Sequence, residues 1–337
     1  MGLFDFFKKK ETQKPKITVT FSAHEYTPDE LRQQQEDKVL EIKRLARNSI
    51  PSKNGLRPHE IAMLSHATHY KTSGNDFPRY WHFDYGIDDP QAVLDMLLDR
   101  GFIRAETAKE SIEKLKVPEL KNILLEFGVV AKGKKADLME AVSENISEED
   151  LARKIPIRRY AVTELGEEEL KENEYVTYFG GSDKYGLTVW DMNKMLQNYP
   201  NKLYRDKVWG ELNRQLMENT GSRQFGLYRN TKYDMYKFLL EENRYDDAFF
   251  HLAEAFFYDM NGDISPVIAP ALIKNFCDIE QKLDRSDEQM IGILQNLFRD
   301  MYAPCRRYTN DEVICMIVAY SFGHDEVAEE VFSRHAT

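Results

Sequence analysis

From Pro28 to about Asn48, apolar residues recur at helical spacing. Leu31, Val39, Leu40, Ile42 and Leu45 stand among Glu, Gln, Lys and Arg, until Pro51, Asn54 and Gly55 break the pattern. A second helix is expected to open with Pro58 in its first turn, where the missing amide costs nothing, and to bury Ile61, Met63 and Leu64. Val93, Leu94, Leu97 and Leu98 predict a third, from about Asp89 to Arg100, with Gly101 as its natural cap. Between the second and third lies an aromatic-rich connection, Phe77 to Gly86, whose expected role is core packing rather than base stacking.

Farther along, Pro118 opens a helical pattern carried by Leu120, Ile123 and Leu124, and Gly128 closes it. A partner helix begins near Lys134 with Leu138 and Val142 on its inner face. Residues 158–166 look extended and 167–173 helical. The Phe179-Gly180-Gly181-Ser182 run marks a boundary, and nearly everything beyond it has helical spacing. Residues 8–27 are polar, with one short extended run at Ile17–Phe21.

Three resemblances organise these elements. Residues 112–145 carry Leu115 and Val117, then Leu120-Lys121 with Leu124, Gly128-Val129, Gly133 with Lys135 and Leu138, and finally Val142. This spacing is similar to the SAP domain, a helix-turn-helix module of DNA-associated proteins. The phrase Leu97-Leu98-Asp99-Arg100-Gly101-Phe102-Ile103, rejoined to Tyr160-Ala161-Val162-Thr163-Glu164-Leu165-Gly166, resembles the third helix and wing strand of a winged-helix domain. Residues 236–256 resemble one tetratricopeptide-like hairpin, echoed at 317–328 without a strict 34-residue period. The fold class expected is therefore mainly α with a small β-hairpin. A tail covers 1–27, a winged-helix-like domain 28–105 and 154–178, an inserted SAP-like module 106–153, a linker 179–186, and a helical bundle or solenoid 187–337.

Charge and composition narrow the function. The chain has 337 residues and a net charge of −11, so any contact with nucleic acid has to come from a local basic patch. The resemblance to SAP implies such a patch. Lys132, Gly133, Lys134 and Lys135 sit at the start of the second helix, where unpaired amides favour an anion and glycine lets a phosphate approach. Arg153, Lys154, Arg158 and Arg159 flank the wing strand and extend the candidate surface. Residues 112–145 nonetheless hold six basic and six acidic side chains, and Ala141 stands where many SAP modules have a basic residue. Asp88, Asp89, Asp95 and Asp99 on the helix that would read the groove argue against sequence-specific contact.

The expected partners are thus double-stranded DNA, bound without much sequence preference, and a protein held by the C-terminal helices. The alternative is a pure protein-interaction scaffold. The two differ in whether the basic residues converge on one face or are interleaved with acids.

No cofactor, metal or enzymatic activity is expected. His59, His66, His69 and His82 lack a zincin pattern, and Asp259-Met260-Asn261-Gly262-Asp263 has its glycine two places early for a calcium loop. Cys277, Cys305 and Cys315 are an odd, scattered set that fits core positions in a reducing, cytoplasmic compartment. No run of about 18 apolar residues predicts a membrane span.

Overall fold

The computed structural model describes residues 27–130, 132–198, 203–262, 266 and 268–335. The expected tail and its extended run at 17–21 lie outside the described residues. The chain divides into two compact units, with the division at Val208–Trp209.

The first unit opens with α1 (Pro28–Asn48), whose N-cap Thr27 exchanges hydrogen bonds with Glu30. Then come α2 (Pro58–His66), α3 (Tyr80–Tyr85) and α4 (Pro90–Asp99), capped by the side chain of Asp89. The aromatic connection thus contains a short helix of its own. Trp81 and Tyr85 are buried in it, and the Trp81 indole N–H donates to the Tyr70 hydroxyl at 2.6 Å. Helix α2 is apolar on every side, with Ile61, Ala62, Met63 and Leu64 all buried, because other helices surround it. It packs against α4 and against α9 (Glu164–Glu172), α10 (Glu174–Phe179) and α11 (Val189–Asn198).

Among the described residues the sheet is two-stranded and antiparallel. Strand β1 (Ile103–Ala105) faces β2 (Tyr160–Val162), with Ile103 opposite Val162 and Ala105 opposite Tyr160. The strands are not a sequence-local hairpin, because residues 106–159 lie between them. That segment leaves and returns at neighbouring ends of the ladder. It contains α5 (Ala108–Ser111), α6 (Val117–Glu126), α7 (Lys135–Asn145) and α8 (Glu148–Lys154). Ala108, Ile112, Leu120, Leu124, Leu138, Val142, Ile146, Leu151 and Ile155 bury one another in a hydrophobic cluster of their own.

The expected linker at 179–186 is not where the units divide. After Phe179 the chain makes a Gly180–Gly181 turn, and Gly181 lies so close to α3 that a Cβ would come within 2.9 Å of Asp84. Helix α11 then returns to α2. Its buried Asn193 accepts the Ile50 amide at 2.8 Å and donates to the Ile50 carbonyl at 2.9 Å and the Tyr175 hydroxyl at 3.0 Å. Those bonds hold residues 187–198 in the first unit.

The second unit, from Trp209 onward, is helical among the described residues. Its elements are the remainder of α12 (Tyr204–Gly221), then α13 (Phe225–Glu241), α14 (Tyr245–Asn261), α15 (Pro270–Leu283), α16 (Asp287–Phe298), α17 (Asn310–Ser321) and α18 (Asp325–Ser333). Every residue of α17 from Val313 to Ser321 is buried, against α14, α15, α16 and α18. Phe249 and Phe256 each meet Phe276 edge to face, and Phe298 is buried in the same core.

Three of its turns share one hydrogen-bond pattern. Arg223, Asn243 and Gly323 adopt left-handed φ of 56°, 56° and 75°. The residue after each donates back five positions in the Schellman manner, Gln224 to Asn219, Arg244 to Leu239 and His324 to Ala319. Two of these turns make the helical hairpins α13–α14 and α17–α18 that the sequence echo marked. Residues 259–262 of the run set aside as a calcium loop end α14, where Gly262 is the C-cap, and Asp263 lies outside the described residues.

The cysteines differ from expectation at one position. Cys315 is buried and Cys277 half-buried, but Cys305 is exposed in the segment before α17.

Candidate nucleic-acid interface

The SAP-like pair is built on the Leu120–Leu124 face of α6 packed against Leu138 and Val142 of α7. At the end of α6, Gly128 takes φ +70°, and the amides of Gly128 and Val129 close a Schellman turn on Leu125 and Leu124. The module is anchored at its base by ion pairs. Arg104 on β1 grips Glu110 through two 2.7 Å bonds, and the Glu110 carboxyl is held down to about 2, first by that guanidinium and then by the Thr107 amide. Glu148, opening α8, accepts the Ala108 and Lys109 amides at 2.5 and 3.0 Å, which ties α8 to α5.

The start of α7 is the expected phosphate seat, and an internal carboxylate fills it. The Lys134 amide donates to Oδ2 of Asp137 at 2.7 Å. Gly133, at φ +138°, lies against the same carboxylate. Asp137 stands at the third helical position, where an acid caps the free amides and meets the positive end of the dipole. That spacing is readable in the sequence, and it identifies an anion supplied by the chain itself.

The eight residues expected to form the surface are not gathered into a basic face. Lys135 turns back and donates to the Glu113 carbonyl at 2.6 Å. Arg153 pairs with Asp150 at 3.0 Å on its own helix, and Lys154 pairs with Glu126 at the end of α6. Arg158 is committed to structure. Its backbone exchanges hydrogen bonds with Thr72, and a guanidinium nitrogen lies 3.9 Å from Glu148. Arg159 bridges to Lys71 through its backbone and donates from its guanidinium to the Thr68 carbonyl at 3.3 Å. Lys132 and Lys134 remain exposed, with no ion pair among the described residues.

The tip of the module also carries apolar surface that the spacing argument missed. Val130 is 88% exposed and Leu125 75%, with Phe127 between them in sequence and Lys121 one turn before Leu125. The signal was available. Leu125 falls off the Leu120–Leu124 face, and Val130 follows the glycine cap into the loop.

Two of the four acids at the supposed reading helix have structural roles. Asp89 caps α4 by accepting the Ala92 amide at 3.0 Å, and Asp88 binds Lys43 and His82 at 2.7 and 2.8 Å.

Elsewhere in the first unit, a shallow cleft is lined by Lys38, His66, Tyr80, Asp84 and residues 180–183. His66 spends Nδ1 on the Ala62 carbonyl at 3.0 Å. The Tyr80 phenol is pushed well up by burial and the neighbouring Tyr70 hydroxyl, so it stays protonated and is no base near neutrality. In the second unit, Lys232 is buried against Glu254 and lies 3.4 Å from His251. Burial and then that ammonium push His251 down to about 4.

Among the described residues, no group of three or more His, Cys, Asp or Glu is placed to hold a metal ion. Among the same residues, no helix is long and apolar enough to cross a membrane. No protein-family model matches the chain, and neither a curated protein nor a solved structure matches it significantly.

Proposed function

We propose that this chain is a non-enzymatic protein-interaction scaffold, in which the SAP-like module docks protein and the helical hairpins of the second unit form another docking body. The interleaving of acids with the basic residues supports this reading over duplex binding. Asp150 and Glu126 pair with Arg153 and Lys154, Asp137 takes the Lys134 backbone amide in place of an outside anion, and Lys135 is held by a backbone carbonyl.

Magnitude decides between the readings. A protein gripping duplex DNA through six to ten phosphate contacts has a log–log salt slope of about −0.9 per contact and loses about 10³–10⁵ in affinity between 50 and 200 mM salt. Lys132 and Lys134 by themselves give a slope of about −2 and an affinity that falls about tenfold between 50 and 200 mM salt. An acidic chain adds long-range repulsion.

The second reading is a weak DNA contact, and the exposure of Lys132 and Lys134 beside Gly133 is what favours it. Fluorescence anisotropy of labelled duplex DNA separates the two, with the intact chain and a Lys132→Glu/Lys134→Glu variant titrated at low and near-physiological salt. The scaffold reading expects no binding even at low salt. Salt-sensitive binding that the variant loses would replace it with the DNA reading.

A further inference from the structure

The shallow cleft of the first unit has a volume of about 590 Å³, within the span of about 300–1,000 Å³ usual for ligand sites. Helix α3 supplies its aromatic lining, Tyr80 and Tyr85, together with the carboxylate of Asp84. Tyr80 and Asp84 are four residues apart, so ring and carboxylate share one side of the helix. The turn after α10 adds a second carboxylate, Asp183, and α1 adds one cation, Lys38.

This lining is held in place before any ligand arrives. The Trp81 ring centre lies 4.8 Å from that of Tyr80 and 5.1 Å from that of Tyr85, and its indole is fixed by the Tyr70 hydroxyl. The turn is pressed against α3 at Gly181. A Cβ there would come within 2.9 Å of Asp84 and 3.2 Å of the Tyr85 ring, so a side chain would push the turn away. The close approach brings Asp183, two residues on, to the cleft. Burial pushes both phenols up, Tyr85 to about 12 with Asp84 as a second cause, so both rings stay neutral near pH 7. Two carboxylates therefore stand against one ammonium, beside the His66 imidazole.

We propose that this cleft receives one arginine side chain of a partner protein, with its guanidinium between Asp84 and Asp183 and against the Tyr80 ring. The inference rests on the scaffold reading and names a receiving site and the chemistry of its partner. A planar guanidinium offers five donors that two carboxylates can share, and it stacks on an aromatic ring. Lys38 sets the limit. It repels a second positive charge, so the occupant is a lone arginine rather than a basic run or a polyamine. No described arginine lines the cleft, and the residues outside the described ones contain none, so the side chain comes from a partner. A net charge of −11 favours the approach of such a cation.

Saturation-transfer difference NMR of the full chain with the peptide acetyl-Gly-Arg-Gly-amide tests this. The same peptide with citrulline for arginine is the neutral control of equal shape. Transfer to the arginine methylenes is expected, with little to those of citrulline. Asp84→Asn/Asp183→Asn should weaken binding by about tenfold or more, as the loss of charge-assisted hydrogen bonds implies. Lys38→Gln should strengthen it by about twofold, because the competing ammonium is gone. The two effects have opposite signs, so a loss of folding cannot mimic both.

Equal transfer to both peptides overturns the proposal, as does binding that survives the double substitution or weakens in Lys38→Gln. No transfer to either peptide, with duplex DNA also unbound, removes the arginine site and keeps the scaffold reading. Duplex binding through Lys132 and Lys134 removes the scaffold reading itself, and with it the ground for a protein partner.

Discussion

The carboxylate of Asp137 occupies the space in front of Gly133, and a Cβ built on that glycine would lie 2.1 Å from Oδ2. The same oxygen accepts the Lys134 amide at 2.7 Å, so the anion seat at the start of α7 is filled from within. Asp137→Ala is expected to cost about 1 kcal/mol, the usual worth of a lost helix cap. Gly133→Ala should cost more, because it adds the clash to a left-handed φ of +138°. Urea unfolding reads both. Asp137→Ser also bears on function. If the carboxylate is only structural, removing it leaves duplex DNA unbound in the anisotropy titration, whereas a gain in affinity would mean that it stands where a phosphate belongs.

The three matched turns of the second unit give a prediction with opposite signs. Gly323 occupies the left-handed region at little cost, while Arg223 is held there with a Cβ. Arg223→Gly should stabilise the chain by about 0.5–1 kcal/mol, the relief of strain being partly offset by a freer unfolded chain. Gly323→Ala should destabilise it by about 1 kcal/mol. Denaturant midpoints that move the same way in both variants would contradict the shared-turn argument.

Asn193 satisfies both backbone groups of Ile50 from inside the first unit. Asn193→Leu keeps a similar volume but orphans a buried amide, a carbonyl and the Tyr175 hydroxyl. A loss of about 2–4 kcal/mol is expected, more than for a surface change. Hydrogen exchange should locate it, since the Ile50 amide loses its acceptor and would exchange faster.

His251 predicts a pH dependence. Burial, and secondarily Lys232, lower its pKa from 6.5 to about 4, so the folded state prefers the neutral ring. Below 6.5 the unfolded chain takes up the proton and the folded one does not. The stability it contributes is therefore complete above about pH 6.5 and is lost as pH falls toward 4. The loss is on the order of 3 kcal/mol across that window. Carboxylates titrate in the same range, so the readout is the difference between the chain and His251→Gln. The variant should lose less stability on acidification, and parallel profiles would show that the ring is not buried neutral.

The sequence by itself determined the local elements. The Leu120–Leu124 and Leu138–Val142 spacings, Pro58 in a first turn, and Gly101 and Gly128 as caps are consequences of helical periodicity and of backbone angles that few residues tolerate, and such constraints act within a few positions. Even the strands facing each other across residues 106–159 were marked by matching phrases at 97–103 and 160–166. Tertiary structure decided what periodicity does not encode. Asn193 and Gly181 pull residues 180–198 back onto the first unit, which moved the division from 179–186 to Val208–Trp209. The sheet is closed by distant segments rather than by a turn. The basic residues were legible as a group in sequence, but only packing brought Glu126 to Lys154 and the Glu113 carbonyl to Lys135. Charge along a chain counts ions, and whether those ions make a surface depends on which neighbours the fold sets within a few ångströms of each.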